Sequence, residues 1–309
     1  MKDTTTAIAA AAVMVAGLAS QSDGWRQEWK LRPALAADQV HFSIQRARWR
    51  NSWSHSHDVP LARFRGISPG LLANGGNARF EYVHDAGRLL CEGSFSWGRG
   101  SGTYTFAPSQ EFVRELQKMG LEAPDDEQLF SMLMSDVTLE FARGVQEALR
   151  DVSARRLVEL RVHGVTLDYI RDARQAGYLE FTAKDFVELR IHGVRTDFLR
   201  ALKASGYHLD AREVIELRNH GVSAEFVADL KQAGYGSLAA REITRLKIHG
   251  VRPEFLRDAK ELGYNFTPQE LVEMRNHGVT GTYLKKLRDA GMKNLTAAQI
   301  TKLRIHGVE

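Results

Sequence analysis

The stretch that decides the fold is LRIHGV at residues 189–194, because it recurs. LRVHGV (160–165), LRNHGV (217–222), LKIHGV (246–251), MRNHGV (274–279) and a second LRIHGV (303–308) repeat it. The histidines, His163, His192, His220, His249, His277 and His306, are spaced 29, 28, 29, 28 and 29 residues apart. A fixed period of this length predicts a stacked array, in which each unit lacks a core of its own and buries its apolar face on its neighbours.

Outward from the hexapeptide, each unit resolves into two helices. Ten residues before each histidine stand Ser153, Thr182, Asp210, Ala239, Thr267 and Thr296, five of them good helix caps. Three residues after those caps come Arg156, Asp185, Glu213, Glu242, Glu270 and Gln299, which predicts several reciprocal capping boxes. The first helix then runs about ten residues with an apolar stripe ending at Leu160, Leu189, Leu217, Leu246, Met274 and Leu303. It should stop at the glycine, Gly164, Gly193, Gly221, Gly250, Gly278 or Gly307, which enters the left-handed region while the following valine packs back.

A second helix follows at once, capped by Thr166, Ser223 or Thr280 and opened by Pro253 in one unit. It should end at Gly177, Gly206, Gly234, Gly263 and Gly291. Degenerate copies extend the pattern upstream. EFVRELQKMGL (111–121) aligns with EFLRDAKELGY (254–264), and Ser135-Asp136-Val137-Thr138 fills the slot of His163-Gly164-Val165-Thr166, with the helix-ending glycine lost. The fold class expected is mainly α, a helix–turn–helix α-solenoid of 28/29-residue repeats with a small N-terminal antiparallel β domain.

Four segments follow: 1–24, 25–107, 108–152 and 153–309. Residues 1–24 contain AIAAAAVMVAGLA (7–19), too short to span a bilayer but suited to a signal peptide with Gly17-Leu18-Ala19 as a cleavage site. That reading expects export to the periplasm or cell envelope. The alternative is a disordered or Ala-rich tail on a cytoplasmic protein. In residues 25–107, Val40, Phe42 and Ile44 alternate with polar neighbours, and 79–84 with 88–95 read as a hairpin turning at Asp85-Ala86-Gly87. Gly98-Arg99-Gly100-Ser101-Gly102 reads as a turn leading to a third strand at 103–106, and RARWRNSWSHSHD (46–58) as an exposed loop.

Charge is uneven. Residues 109–152 carry −6 and residues 153–309 carry +6, so the helical half is neutral overall and a poor polyanion trap. The acidic segment suits an atypical terminal cap of the array. The chain stops just after the last hexapeptide, and a half-unit there would invite self-association.

Candidate chemistry is sparse. Six equivalent histidines on stacked units stand about 10 Å apart, too far to share one zinc with bonds of about 2 Å. A structural role at a helix C-terminus, beside Glu159, Glu188, Glu216 and Glu273 four residues earlier, is expected instead. Two residues before each histidine lies a cation, Arg161, Arg190, Arg218, Lys247, Arg275 and Arg304. Stacking aligns these into a ladder, either a groove for an anionic ligand or a set of salt bridges to acids of the second helices.

His55, His57 and Asp58 make a weak metal motif, and Arg46, Arg48, Trp49, Arg50 and Trp53 mix cations with aromatics as nucleic-acid loops do. The glycine triplet at 98–102 has no helix behind it, so no dinucleotide or other cofactor is expected. The one cysteine, Cys91, is expected as a buried thiol.

The LRxHGV units, with DAGRLLCEGSFSWGRGSGTYTF (85–106) before them, resemble the C-terminal helical repeat region of bacterial BlaR/MecR-type sensor metallopeptidases, the antirepressors of beta-lactam resistance. The likeness spans about residues 153–309. That family's HExxH zinc site has no counterpart here, since no histidine is followed by glutamate. The resemblance implies an accessory, sensor-side module without the peptidase, outside the cytoplasmic membrane. The function expected is therefore a non-enzymatic interaction or scaffold protein that binds a protein or envelope component. The alternative is an anionic-polymer or nucleic-acid binder using the ladder and the Trp/Arg loop.

Overall fold

The computed structural model describes residues 26–36, 38–48 and 51–308. The proposed signal peptide, Trp49 and Arg50 lie outside these residues. Two compact units result: one holds the described residues up to Val83 with Leu89–Ala107, the other His84–Arg88 with the residues from Pro108 onward.

The first unit is a seven-stranded sheet, β1 (Arg26–Pro33), β2 (Gln39–Arg48), β3 (Asn51–Pro60), β4 (Phe64–Arg65), β5 (Gly76–His84), β6 (Gly87–Ser96) and β7 (Arg99–Pro108), in the order β3-β2-β1-β7-β6-β5-β4. A short helix, α1 (Pro69–Asn74), precedes β5. One face carries the core: Trp29 and Leu31, Val40, Phe42 and Ile44, Phe80 and Tyr82, Leu89, Cys91 and Phe95 are all buried. The Trp29 ring meets Phe80 edge-on at 4.8 Å, and its Nε1–H donates to the Glu92 carbonyl at 3.1 Å.

Two expectations for this unit are corrected. Residues 46–48 and 51–58 are not loop but strand, the end of β2 and most of β3 in a long hairpin, with Ile44 opposite His55 and Phe42 opposite His57. The period-2 alternation of serine with Trp53, His55 and His57 was a strand signal hidden by its polarity. The glycine triplet is not a turn either. The turn is Trp97-Gly98, both at positive φ (51° and 73°), as a two-residue type I′ connection requires. Gly100 and Gly102 lie inside β7 because side chains would not fit: a Cβ on Gly100 would meet the Phe95 ring, and one on Gly102 the Glu92 carbonyl oxygen.

The second unit is a stack of helices: α2 (Gln110–Lys118), α3 (Asp126–Met134), α4 (Leu139–Ala148), α5 (Ala154–Val162), α6 (Leu167–Gln175), α7 (Ala183–Ile191), α8 (Thr196–Ala204), α9 (Ala211–Asn219), α10 (Ala224–Gln232), α11 (Ala240–Ile248), α12 (Pro253–Glu261), α13 (Pro268–Asn276), α14 (Gly281–Asp289) and α15 (Ala297–Ile305). Each even-numbered helix packs on the next even one and each odd on the next odd, giving two parallel rows. The chain is thus mainly α with a small antiparallel β domain.

The caps fall where the sequence puts them. Ser153, Thr182, Asp210, Thr267 and Thr296 accept from the backbone N–H three residues on, and Ala239 keeps half a capping box because the Glu242 carboxylate accepts from its N–H at 2.8 Å. At the hexapeptide, Gly164 N–H donates to Arg161 O (3.0 Å) and Val165 N–H to Leu160 O (2.8 Å), the paired bonds of a Schellman turn. The equivalent glycines hold φ between 65° and 74°.

The same turn survives upstream, against the expectation that the ender there was lost. Asp136 takes φ 56°, with Val137 N–H on Met132 O at 2.9 Å. Aspartate tolerates the left-handed region better than most side chains.

Candidate functional site

The six ladder cations do line up, but against their own stack. Arg161 lies over the Phe141 ring (5.2 Å), Arg190 over Tyr169 (5.2 Å), Lys247 over Phe226 (4.9 Å) and Arg304 over Tyr283 (5.0 Å), each ring belonging to the preceding second helix. Arg218 and Arg275 instead donate through Nε to the carbonyls of Gly193 (3.3 Å) and Gly250 (3.1 Å). Arg161 also binds the Asp136 carboxylate at 2.6 Å. Each cation therefore reaches back one unit and holds a ring or an otherwise orphaned turn carbonyl.

Salt bridging to acids of the second helices was one of the two readings; Arg161 does pair with a carboxylate, that of Asp136 in the turn before α4, while the other five meet rings or carbonyls. Inter-unit ion pairs exist one row over, between second helices. Glu115 pairs with Arg143 (2.9 Å), Asp172 with Arg200 (3.9 Å), Asp229 with Arg257 (3.5 Å) and Asp258 with Lys285 (2.6 Å). All occupy the same two helical positions. At the α8–α10 step both positions are alanine, Ala201 and Ala228, so the rung is lost without leaving a charge unpaired.

Tyrosines form a further set of struts. Tyr169 donates to Val194 O (2.9 Å), Tyr207 to Tyr235 O (3.0 Å) and Tyr235 to Phe266 O (2.8 Å). Burial pushes the Tyr169 and Tyr178 hydroxyls well above the usual phenol range and Tyr207 up to about 12.

The repeat histidines are all exposed at the helix ends. None bonds the glutamate side chain four residues earlier. Glu159 binds Arg155 and Arg156, and Glu188 binds Lys184. His192 and His249 instead donate through Nδ1 to Asn219 (2.9 Å) and Asn276 (3.0 Å) of the next unit. Among the described residues no group of three metal-ligating side chains converges. His55 and His57 share a strand face, ring centroids 4.8 Å apart, but Asp58 points to the other face and binds His41 at 2.8 Å. Cys91 is buried, which raises its thiol pKa.

Sequence reasoning passed over the residue just before each histidine. Val162, Ile191, Ile248 and Ile305 are 65%, 56%, 58% and 59% exposed. Asn219 and Asn276 fill the same slot in the other two units, so isoleucine and asparagine alternate every 57 residues from Ile191 on. The signal was present: an apolar residue inside the hexapeptide yet off the buried stripe. The loops after α6 and α8 border an open recess of about 640 Å³ lined by Glu180, Lys184, Glu188, Lys203, His208 and Arg212, both signs of charge together.

Among the described residues no helix is long and apolar enough to cross a membrane. Comparison with protein-family profiles and with curated proteins finds no match for this chain.

Proposed function

We propose that this chain is a non-enzymatic interaction protein whose helical hairpins form a solenoid that docks a partner protein or cell-envelope component. The observation that carries this reading is the row of exposed Val162, Ile191, Ile248 and Ile305 beside solvent-facing histidines. One exposed apolar side chain means nothing, but the same register left apolar and unburied in four units supports reading it as a contact face. The polar groups inside the stack support binding over catalysis, since the tyrosine hydroxyls act as struts on carbonyls.

The likeness of the repeats to the BlaR/MecR-type sensors fits an accessory module in an envelope sensing system, and the apolar run at 7–19 fits export. The alternative reading, a polyanion or nucleic-acid groove on the cation ladder, is less well supported because rings and carbonyls of the preceding unit occupy those cations.

Replacing Ile191, Ile248 and Ile305 by serine tests the face. Affinity capture from the native envelope fraction should lose its partner while the melting temperature stays within a few degrees. Capture by the triple variant at the wild-type level sinks the proposal. Capture that collapses between low and physiological salt, with the isoleucines irrelevant, favours the polyanion reading.

A further inference from the structure

We propose that one end of the β-sheet docks onto an anionic lipid bilayer, a role separate from the partner face of the helical stack. Two connections meet at that end. Residues 33–36, Pro-Ala-Leu-Ala, leave β1, and the Trp97-Gly98 turn enters β7, with the Pro33 ring 3.8 Å from where a Gly98 Cβ would stand. Leu35 is fully exposed and Trp97 is 95% exposed, the two most exposed large apolar side chains among the described residues.

Neither side chain contributes to the fold. Trp97 also holds φ 51° at a turn position where asparagine or glycine fits with less strain. Among the described residues nothing covers this bulky ring, which suits a contact with an external partner.

Immediately behind these prongs the outward face of β1, β2 and β7 gathers cations. Lys30, Arg32, His41 and Arg99, with Ser43 and Ser101, line a recess of about 360 Å³. The register explains the clustering: Lys30 stands opposite both Ser43 and Ser101, and Arg32 opposite His41 on neighbouring strands. Asp58 and Glu28 are acids of this face, engaged by His41 at 2.8 Å and by Arg26 at 3.6 Å. Lys30, Arg32 and Arg99 have no acidic partner among the described residues. Like charges on adjacent strands weaken a sheet, so the counter-charge that suits them is external.

Cations flanking fully exposed tryptophan and leucine match the two halves of a membrane interface. The guanidinium and ammonium groups suit lipid phosphates, and the indole suits the boundary between headgroups and acyl chains. A soluble polyanion would satisfy the cations but give Leu35 and the alanines nothing to enter.

The full chain should co-sediment with vesicles of phosphatidylcholine mixed with phosphatidylglycerol, remain in the supernatant with phosphatidylcholine alone, and detach as salt rises. Neutralising two cations as Arg32→Gln/Arg99→Gln should weaken binding about thirtyfold. Leu35→Ser/Trp97→Ser should weaken it about tenfold. All four positions are exposed, so circular dichroism and melting should stay as in the wild type. Failure of the wild-type chain to bind mixed vesicles overturns the proposal, as does equal binding to both vesicle types. Displacement by a single-stranded oligonucleotide, with Leu35→Ser/Trp97→Ser binding normally, overturns it in favour of a soluble polyanion.

Discussion

Asp136 accepts a 2.6 Å hydrogen bond from the Arg161 guanidinium while its own backbone sits at φ 56°. One residue thus does the work of the turn glycine and also ties the acidic N-terminal helices to the first full repeat. Its other oxygen lies 3.3 Å from His84 Nε2, and His84 Nδ1 accepts from the Ala86 N–H, so the proton on Nε2 is directed at the carboxylate. Asp136→Ala loses both partners and keeps the backbone strain. It should destabilise the helical unit by about 2–4 kcal/mol. Asp136→Gly relieves the strain and should cost less. Urea unfolding of the two variants checks this: an alanine variant no weaker than the glycine one removes the strain argument, and a glycine variant as stable as the wild type removes the role given to Arg161.

The glycines divide into two kinds, and substitution should separate them. A Cβ on Gly193 or Gly250 meets nothing within 4 Å, so alanine there adds only the left-handed strain, about 1 kcal/mol. Gly102 is different: its backbone runs against Glu92 and Gly93, and a Cβ has no room. Gly102→Ala should break the β6–β7 pairing and cost well over the Gly193→Ala value. Thermal melts of the two variants, followed in the far-ultraviolet for the helices and in the near-ultraviolet for Trp29, give the comparison.

The repeats were legible because helix caps and enders are local chemistry. Thr182 with Asp185, or Gly193 with Val194, act within a few residues, so spacing alone located their turns. Asp136 escaped because the left-handed turn has a second solution that resembles no glycine. The hairpin through His55 and His57 was hidden because its strand alternates serine with histidine and tryptophan instead of valine or isoleucine. Partners of the ladder cations were illegible for another reason: which ring or carbonyl Arg190 and Arg218 meet depends on how one unit sits on the next, and no single-unit pattern encodes that offset.

The missing rung between α8 and α10 can be restored. Ala201 and Ala228 occupy the positions that Asp172 and Arg200, or Asp229 and Arg257, fill elsewhere. Ala201→Asp with Ala228→Arg should add a coupling of about 0.3–1 kcal/mol, the range for exposed pairs. Each single change should be neutral or slightly unfavourable, because it adds one charge without its partner. A double-mutant cycle in denaturant isolates the coupling, and a value indistinguishable from zero at low salt shows that these units do not stack in the register of the others.

Alkaline pH should loosen the stack through its tyrosines. Burial raises Tyr207 to about 12 and lifts Tyr169 and Tyr178 still further, so the folded state binds their protons more tightly than the unfolded chain does. A raised folded pKa gives stability that is complete below the unfolded value, about 10, and is lost as pH climbs through the folded one. Denaturation midpoints should therefore fall between about pH 10 and pH 12. Tyr207→Phe isolates the effect. At neutral pH it loses the bond to the Tyr235 carbonyl and should cost about 1 kcal/mol. Above pH 10 that deficit should shrink and then reverse, since phenylalanine has no proton to lose. A deficit that stays constant to pH 12 means the hydroxyl ionises in the folded stack as easily as in water, and the strut gives no pH dependence.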